Sequence, residues 1–284
     1  MNRKVGDVVQ RSERFIRLVK TFVDQPNVAL SLSDLSTGLD TAKSSLSEDV
    51  ARIRTVLEAN GAGSIKSIQG SAGGVKYVAN VPESRRSAFF EDLTRRLSDS
   101  SRTLPGGFLY MSDLLGDPDV LDVSGQLLAT AFQDAGANVI VTVETKGIAL
   151  AVATARYLHL PLAIARRELR VTEGAALSIH YISGSQRRIQ TMSLSKRAMP
   201  ERARALIIDD FMRAGGTAAA VKNLLSEFSA EVVGTAVLLA TSEPTNKLVE
   251  DYTALFELDP IIEGKAVTVR THSAWMSRDR VDGE

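Results

Sequence analysis

One stretch, Ala205-Leu206-Ile207-Ile208-Asp209-Asp210-Phe211-Met212-Arg213-Ala214-Gly215-Gly216-Thr217, restricts the fold of this 284-residue chain more than any other. Residues 205–208 are apolar throughout and read as a strand buried on both faces. Two adjacent carboxylates end the strand, and a glycine-rich turn then opens a helix. Such a strand belongs to a parallel sheet with helices on both faces. The rest of the C-terminal two thirds agrees. Residues 139–143, 162–165 and 232–239 read as further buried strands, and residues 125–135, 148–158 and 217–228 as the helices between them. Residues 173–199 break the alternation with Ile179, Tyr181, Ile189, Met192 and Leu194 around a basic Ser/Gly turn, the pattern of a hairpin or hood.

The 205–217 stretch also carries chemistry. Glycines let backbone N–H groups approach a phosphate closely, and a helix N-terminus adds partial positive charge. Thr217 offers a hydroxyl, and Asp209 and Asp210 can accept hydrogen bonds from vicinal hydroxyls. The plainer reading is a tight strand-to-helix turn with aspartate as a cap. Glu144-Thr145-Lys146-Gly147, directly after the 139–143 strand, is a second candidate anion turn; by itself it is any β-to-α turn.

The first eighty residues differ. Phe15, Ile16, Val19, Phe22 and Val23 recur at helical spacing until Gln25-Pro26; Ser31 sits three before Asp34 as a capping box for a short helix; Asp40 or Thr41 can cap a third helix with the apolar face Leu46, Val50, Ile53, Val56 and Leu57. Two short strands flank Gly70-Ser71-Ala72-Gly73-Gly74. Three helices and a hairpin are the order of a winged helix-turn-helix, whose third helix enters the DNA major groove while the hairpin wing touches the backbone. The expected DNA-facing residues are Thr41, Lys43, Ser44, Ser45 and Ser47 at the start of that helix, with Arg52, Arg54, Lys66 and Lys76 for phosphates. Glu48 and Asp49 count against a strongly basic reading face. The alternative is a helical dimerisation domain with solvated charges.

Charge sharpens this. Net charge is zero, yet residues 1–80 carry 11 basic and 8 acidic groups, and residues 156–213 carry 11 and 5. Local charge decides which anions a surface attracts. Arg187 and Arg188 in the second block are expected to help hold DNA. The absence of cysteine excludes disulfides, a thiolate nucleophile and zinc fingers. The longest apolar stretches reach about nine residues, short of the roughly 20 that span a bilayer. With no signal-peptide pattern at residues 1–7, a cytoplasmic location and no membrane partner are expected. His159, His180 and His272 are isolated, so no protein metal site is expected; Trp275 reads as a packing anchor. Asp113, Asp117, Asp119 and Asp122 read as a solvated acidic edge, with cation binding the alternative.

Residues 205–217 closely resemble the PRPP motif of type I phosphoribosyltransferases, and the likeness extends over roughly residues 104–276. It implies that Asp209 and Asp210 hold the ribose hydroxyls, that the turn Ala214-Gly215-Gly216-Thr217 cradles the 5′-phosphate with Phe211, Met212 and Arg213 also in the effector-binding set, and that Glu144, Thr145, Lys146 and Gly147 form the pyrophosphate loop. Many of the enzymes have an acid and a threonine where this chain has Arg213 and Ala214, and a cation there cannot accept a proton as a carboxylate does. With the winged helix in front, and with Tyr181-Ile182-Ser183-Gly184-Ser185, residues 188–194 and Arg11-Ser12-Glu13-Arg14, the whole chain resembles the purine operon repressor family of Gram-positive bacteria. The resemblance implies an α+β winged-helix domain at 1–80, an α/β phosphoribosyltransferase-like domain with a central parallel sheet and hood at 81–276, and a polar tail at 277–284. It implies a homodimeric repressor that binds double-stranded operator DNA and has no transferase activity. PRPP would be its inducing effector, with Mg²⁺ as a passenger and a guanine alarmone (ppGpp) as a candidate competitor. An active purine phosphoribosyltransferase with an appended DNA-binding domain is the alternative.

Overall fold

A computed structural model describes residues 10–70, 73–168, 171–182, 189–262 and 266–276. Arg187, Arg188 and the 277–284 tail lie outside the described residues. One compact unit runs to Arg85 and takes in Tyr157–His159, and a second comprises Arg86–Arg156 and the chain from Leu160 on.

In the first unit, α1 (Arg11–Asp24), α2 (Leu32–Gly38) and α3 (Lys43–Ala59) precede an antiparallel hairpin of β1 (Gly63–Ile68) and β2 (Gly74–Ala79). Leu18, Phe22, Leu46, Val50, Ile53, Ile65, Val75 and Tyr77 form its core. Ser31 Oγ accepts the N–H groups of Ser33 and Asp34, as the capping-box spacing predicts. The third helix departs from expectation: its N-cap is Ala42, not Asp40 or Thr41. The preceding turn explains this, because Thr41 N–H bonds Ser36 O and Ser36 Oγ donates to Thr41 O. The apolar faces are also narrower than the pattern suggested. Ile16 is 70% exposed, Val23 is exposed and Val56 is 60% exposed, since one neighbouring layer covers only part of each helix.

The second unit contains α4 (Glu83–Leu97, which begins just before it), β3 (Thr103–Leu104), β4 (Phe108–Leu109), α5 (Pro118–Phe132), β5 (Val139–Val143), α6 (Gly147–Leu158), β6 (Leu162–Ala165), β7 (Ala176–Ile182), β8 (Ile189–Ser195), β9 (Arg204–Met212), α7 (Gly216–Glu227), β10 (Glu231–Thr241), β11 (Thr253–Leu258), β12 (Val269–Thr271) and α8 (Ser273–Met276). Six strands make one sheet in the order β12-β11-β10-β9-β5-β6, parallel except for β12. On one face Val139, Val141, Val143, Ala205 and Ile207 pack with Val221, Leu224 and Leu225 of α7 and with Met192 and Leu194 of the β7–β8 hairpin. On the other, Phe132 of α5 lies against Gly234 beside Leu206. The hairpin is thus real, and two of its side chains are core.

Three further differences matter. α5 begins at Pro118, seven residues before the predicted helix, because Asp117 caps it by accepting the N–H groups of Asp119 and Val120. The acidic edge is therefore not merely solvated: Asp117 also pairs with Arg96 at 2.9 Å, and Asp113 with Arg102 at 2.7 Å. β9 continues through the aspartate pair to Met212, so the carboxylates sit within the ladder, with Asp209 opposite Val237. Trp275 is buried, and its Nε1 donates to Ala254 O at 2.8 Å, which makes it the anchor expected.

Candidate functional site

β5 and β9 are neighbours in the sheet, but α6 carries the chain from β5 to β6 on one side and α7 carries it from β9 to β10 on the other. The chain therefore leaves the two carboxyl ends in opposite directions, and such a switch point is where open α/β sheets bind ligands. Both predicted anion turns lie here, residues 144–147 after β5 and residues 213–216 after β9.

Gly147 joins them. A Cβ at this position would lie 2.5 Å from Asp209 Oδ1 and 2.6 Å from Thr142 Oγ1, so only a glycine lets the start of α6 rest against the carboxylate. Asp209 Oδ1 also accepts the Asp210 N–H at 2.9 Å. Burial, and after it the adjacent Asp210 charge, hold the Asp209 carboxyl well above the usual carboxylate range. A carboxyl in that setting is favoured by any hydroxyl donor or cation laid against it.

The first turn is anchored from behind. The Glu144 carboxylate takes the Arg166 guanidinium at 3.0 Å and the Arg167 N–H at 3.0 Å, and Arg166 also bonds Glu173 at 2.7 Å. Glu144 is thus committed to the protein, while Thr145 and Lys146 are exposed. Lys146 has no ion pair among the described residues. In the second turn Gly215, at φ +79°, is the N-cap of α7, a left-handed conformation that suits glycine. No side chain caps α7, and its first turn carries no acid. Orphan N–H groups at a helix start need an acceptor. Asp210, Phe211, Ala214, Gly216 and Thr217 are half-buried, Gly215 is buried and Arg213 is exposed; Met212 is the exception, buried with Ala218, Val237 and Val249.

In the first unit, Lys43, Ser44, Ser47 and Arg52 are exposed on α3, with Thr41 and Ser45 half-buried. The N-cap of α3 has no side-chain acceptor, so its first N–H groups are open to an outside anion. Lys66 lies directly opposite Lys76 in the β1–β2 register, and neither makes an ion pair among the described residues. Like charges placed opposite each other destabilise a hairpin unless an anion offsets them. Arg54 donates to Ser67 Oγ at 3.3 Å, tying the helix to the wing. Asp49 does not weaken this surface: it is fully buried, held by Arg14 at 2.6 Å and Arg11 at 3.0 Å, and only Glu48 faces out.

Residues 10–79 match the family described as "Bacterial purine repressor, N-terminal", and residues 111–272 match "Phosphoribosyl transferase domain". The chain is 42% identical over 252 residues to the purine biosynthesis transcriptional repressor PurR of Bacillus subtilis (strain 168), covering 89% of this chain and 88% of that one. The chain belongs to the PurR family. Another PurR, named a purine biosynthesis transcriptional activator, from Lactococcus lactis subsp. lactis (strain IL1403), is 36% identical over 92% of this chain and 97% of its own. Among solved structures, an adenine phosphoribosyltransferase from Rhodothermus marinus superposes with a TM-score of 0.50 at 22% identity, over 59% of this chain and 97% of that one, and shares the fold.

Within this chain, sequence reasoning missed several residues that shape the two turns. Arg166 and Arg167 were visible only as part of a basic block. Lys247 was not singled out at all, nor was Thr241, yet Lys247 Nζ donates to Arg213 O at 2.8 Å, and Thr241 Oγ1, which donates to Glu243 O at 2.5 Å, lies 3.3 Å from that Arg213 oxygen. Their partners are backbone atoms, which leave no side-chain signature in the sequence.

Proposed function

We propose that this chain is a DNA-binding transcriptional regulator of purine genes, acting as a homodimer, whose transferase-like crevice binds PRPP as an effector and not as a substrate. The observation that carries this is the pairing, in one chain, of an unneutralised wing (Lys66 opposite Lys76) with an Asp-Asp and Gly-Gly-Thr crevice. The names of its PurR relatives supply the purine context. Asp209 and Asp210 would accept the ribose hydroxyls, the α7 N-terminus the 5′-phosphate, and the turn with Lys146 the diphosphate. Mg²⁺ would arrive with the ligand, coordinated mostly by its diphosphate and hydroxyls. Arg213 replaces the proton-accepting acid of many related enzymes, which supports binding without transfer. The test of that point is pyrophosphate release from PRPP with adenine, hypoxanthine, guanine or xanthine, where none is expected.

Coupling has a sign. PRPP is a polyanion, and bound within the basic 156–213 segment it lowers the positive potential available to DNA phosphates. An effector shifts an equilibrium only by its different affinity for the two states, and reciprocally. PRPP therefore weakens operator binding, DNA weakens PRPP binding, and ppGpp competes for the same crevice. Operator affinity measured by fluorescence anisotropy with and without PRPP, for the wild type and Asp210→Ala, tests this. The wild type should lose affinity with PRPP, and the variant should bind operator but not respond. A wild type indifferent to saturating PRPP refutes the reading.

A further inference from the structure

A backbone phosphate cradle works only if its peptides are turned with N–H groups toward the ligand and carbonyls away. Buried carbonyl oxygens must then find donors behind the turn. Here three consecutive carbonyls do so. Arg213 O accepts from Lys247 Nζ at 2.8 Å; Ala214 O accepts from Leu248 N–H at 2.9 Å; Gly215 O accepts from Ala219 N–H at 2.9 Å in the first bond of α7. Two of these donors, Lys247 and Leu248, come from the loop after β10, which also closes on Gly215: a Cβ there would lie 3.2 Å from Val249 N and 3.3 Å from Leu248 N. Lys247 is only 9% exposed, and its ammonium is spent on backbone oxygens, those of Arg213 and of Pro244 at 2.9 Å. It has no carboxylate in an ion pair among the described residues.

Holding a lysine ammonium away from water on two neutral acceptors is costly. Burial pulls it below the ordinary lysine range, with Glu257 opposing weakly. A position chosen only for packing would be filled by an apolar side chain without that cost.

Building on the effector reading above, we infer that Lys247 is the positioning residue of the 5′-phosphate turn, fixing the 213–214 peptide so that the N–H groups at the start of α7 face the phosphate. It touches the turn from behind and acts through it.

The two turns make the inference separable from general damage. Ribose 5-phosphate engages the turn braced by Lys247, whereas inorganic pyrophosphate engages residues 144–147, which Lys247 does not touch. Titration calorimetry on the full-length wild type and Lys247→Met, with PRPP, ribose 5-phosphate and pyrophosphate as probes, is the experiment. The variant should lose about tenfold or more in affinity for ribose 5-phosphate and PRPP, the size expected for one charge-assisted hydrogen bond, with pyrophosphate affinity within about twofold of wild type. Equal losses for ribose 5-phosphate and pyrophosphate, or no loss for either, overturn it. Should Lys247→Met not fold, Lys247→Gln, which keeps a neutral donor of shorter reach, takes its place: a loss confined to the sugar phosphate supports the inference, and no loss or an equal loss overturns it. A wild type that binds neither PRPP nor ribose 5-phosphate refutes the effector reading itself. A wild type that binds both, beside a variant that binds both equally well, refutes only the role of Lys247.

Discussion

Gly147→Ala sets two physical effects against each other. Residue 147 opens α6, and alanine in a helix is favoured over glycine by about 0.5–1 kcal/mol on backbone entropy alone. Against this stands the close approach described above. The new methyl would meet Asp209 Oδ1 at 2.5 Å, Thr142 Oγ1 at 2.6 Å and Asp209 Cα at 3.2 Å. An ordinary carbon-to-oxygen contact is about 3.3 Å, so each oxygen must retreat by roughly 0.8 Å. Thr142 is β-branched and fully buried, and the Asp209 oxygen is held by the Asp210 N–H, so neither moves freely. Overpacking of this kind costs about 1–3 kcal/mol, which outweighs the helix preference and leaves a net loss of roughly 1–2 kcal/mol. Thermal unfolding should fall by about 2–8 °C. Because Asp209 is displaced, PRPP affinity by calorimetry should drop by about tenfold or more. A melting temperature at or above wild type together with unchanged PRPP affinity would show that the two turns do not meet at Gly147.

Asp49→Ala leaves Arg14 buried without its partner and should destabilise the first unit by about 3–5 kcal/mol, read from urea unfolding by circular dichroism; an unmoved midpoint contradicts the buried pair. Replacing both Lys66 and Lys76 by Gln should weaken operator binding and lower the slope of log affinity against log salt by about 2, one per phosphate contact; an unchanged slope removes the wing from the interface. Asp209 holds its proton more tightly folded than unfolded, so its contribution to stability is present below the ordinary carboxylate range near pH 4 and is lost as pH rises through the raised folded value. Asp209→Asn should therefore melt higher than wild type at pH 7, the gap closing toward pH 3.5, while PRPP affinity falls; a variant less stable than wild type at neutral pH would contradict the assigned burial cost.

The crevice was legible because its parts are local. Strand, carboxylates, glycines and helix follow one another between Ala205 and Thr217, and each needs only a few neighbours to be understood. Legibility ended where partners are distant or are backbone. Lys247 lies 34 residues from the carbonyl it holds. Glu48 and Asp49 look equivalent in sequence, yet a helix turns about 100° per residue, which sent one to solvent and the other into a buried pair with Arg11 and Arg14. Periodicity placed the end of β9 too early because aspartate is a poor strand former, while pairing with β10 carried the strand on to Met212. Asp117-Pro118 is a good helix start, but it was hidden in an acidic run that read as surface.

The adjacency of β5 and β9 sets a length scale. Neighbouring strands are spaced about 4.8 Å apart, and the hydrogen-bond register between Val139–Val143 and Arg204–Met212 fixes how far along each strand its turn begins. The gap between the two anion turns is therefore a property of the rigid sheet and not of loop flexibility. On the effector reading proposed above, the crevice would act as a two-pronged ruler: a molecule with phosphate at both ends of a pentose would satisfy both prongs at once, and a nucleoside monophosphate or free pyrophosphate only one. Occupancy would then report the conjunction of two chemical groups, the second contact, made at high effective concentration, multiplying the strength of the first.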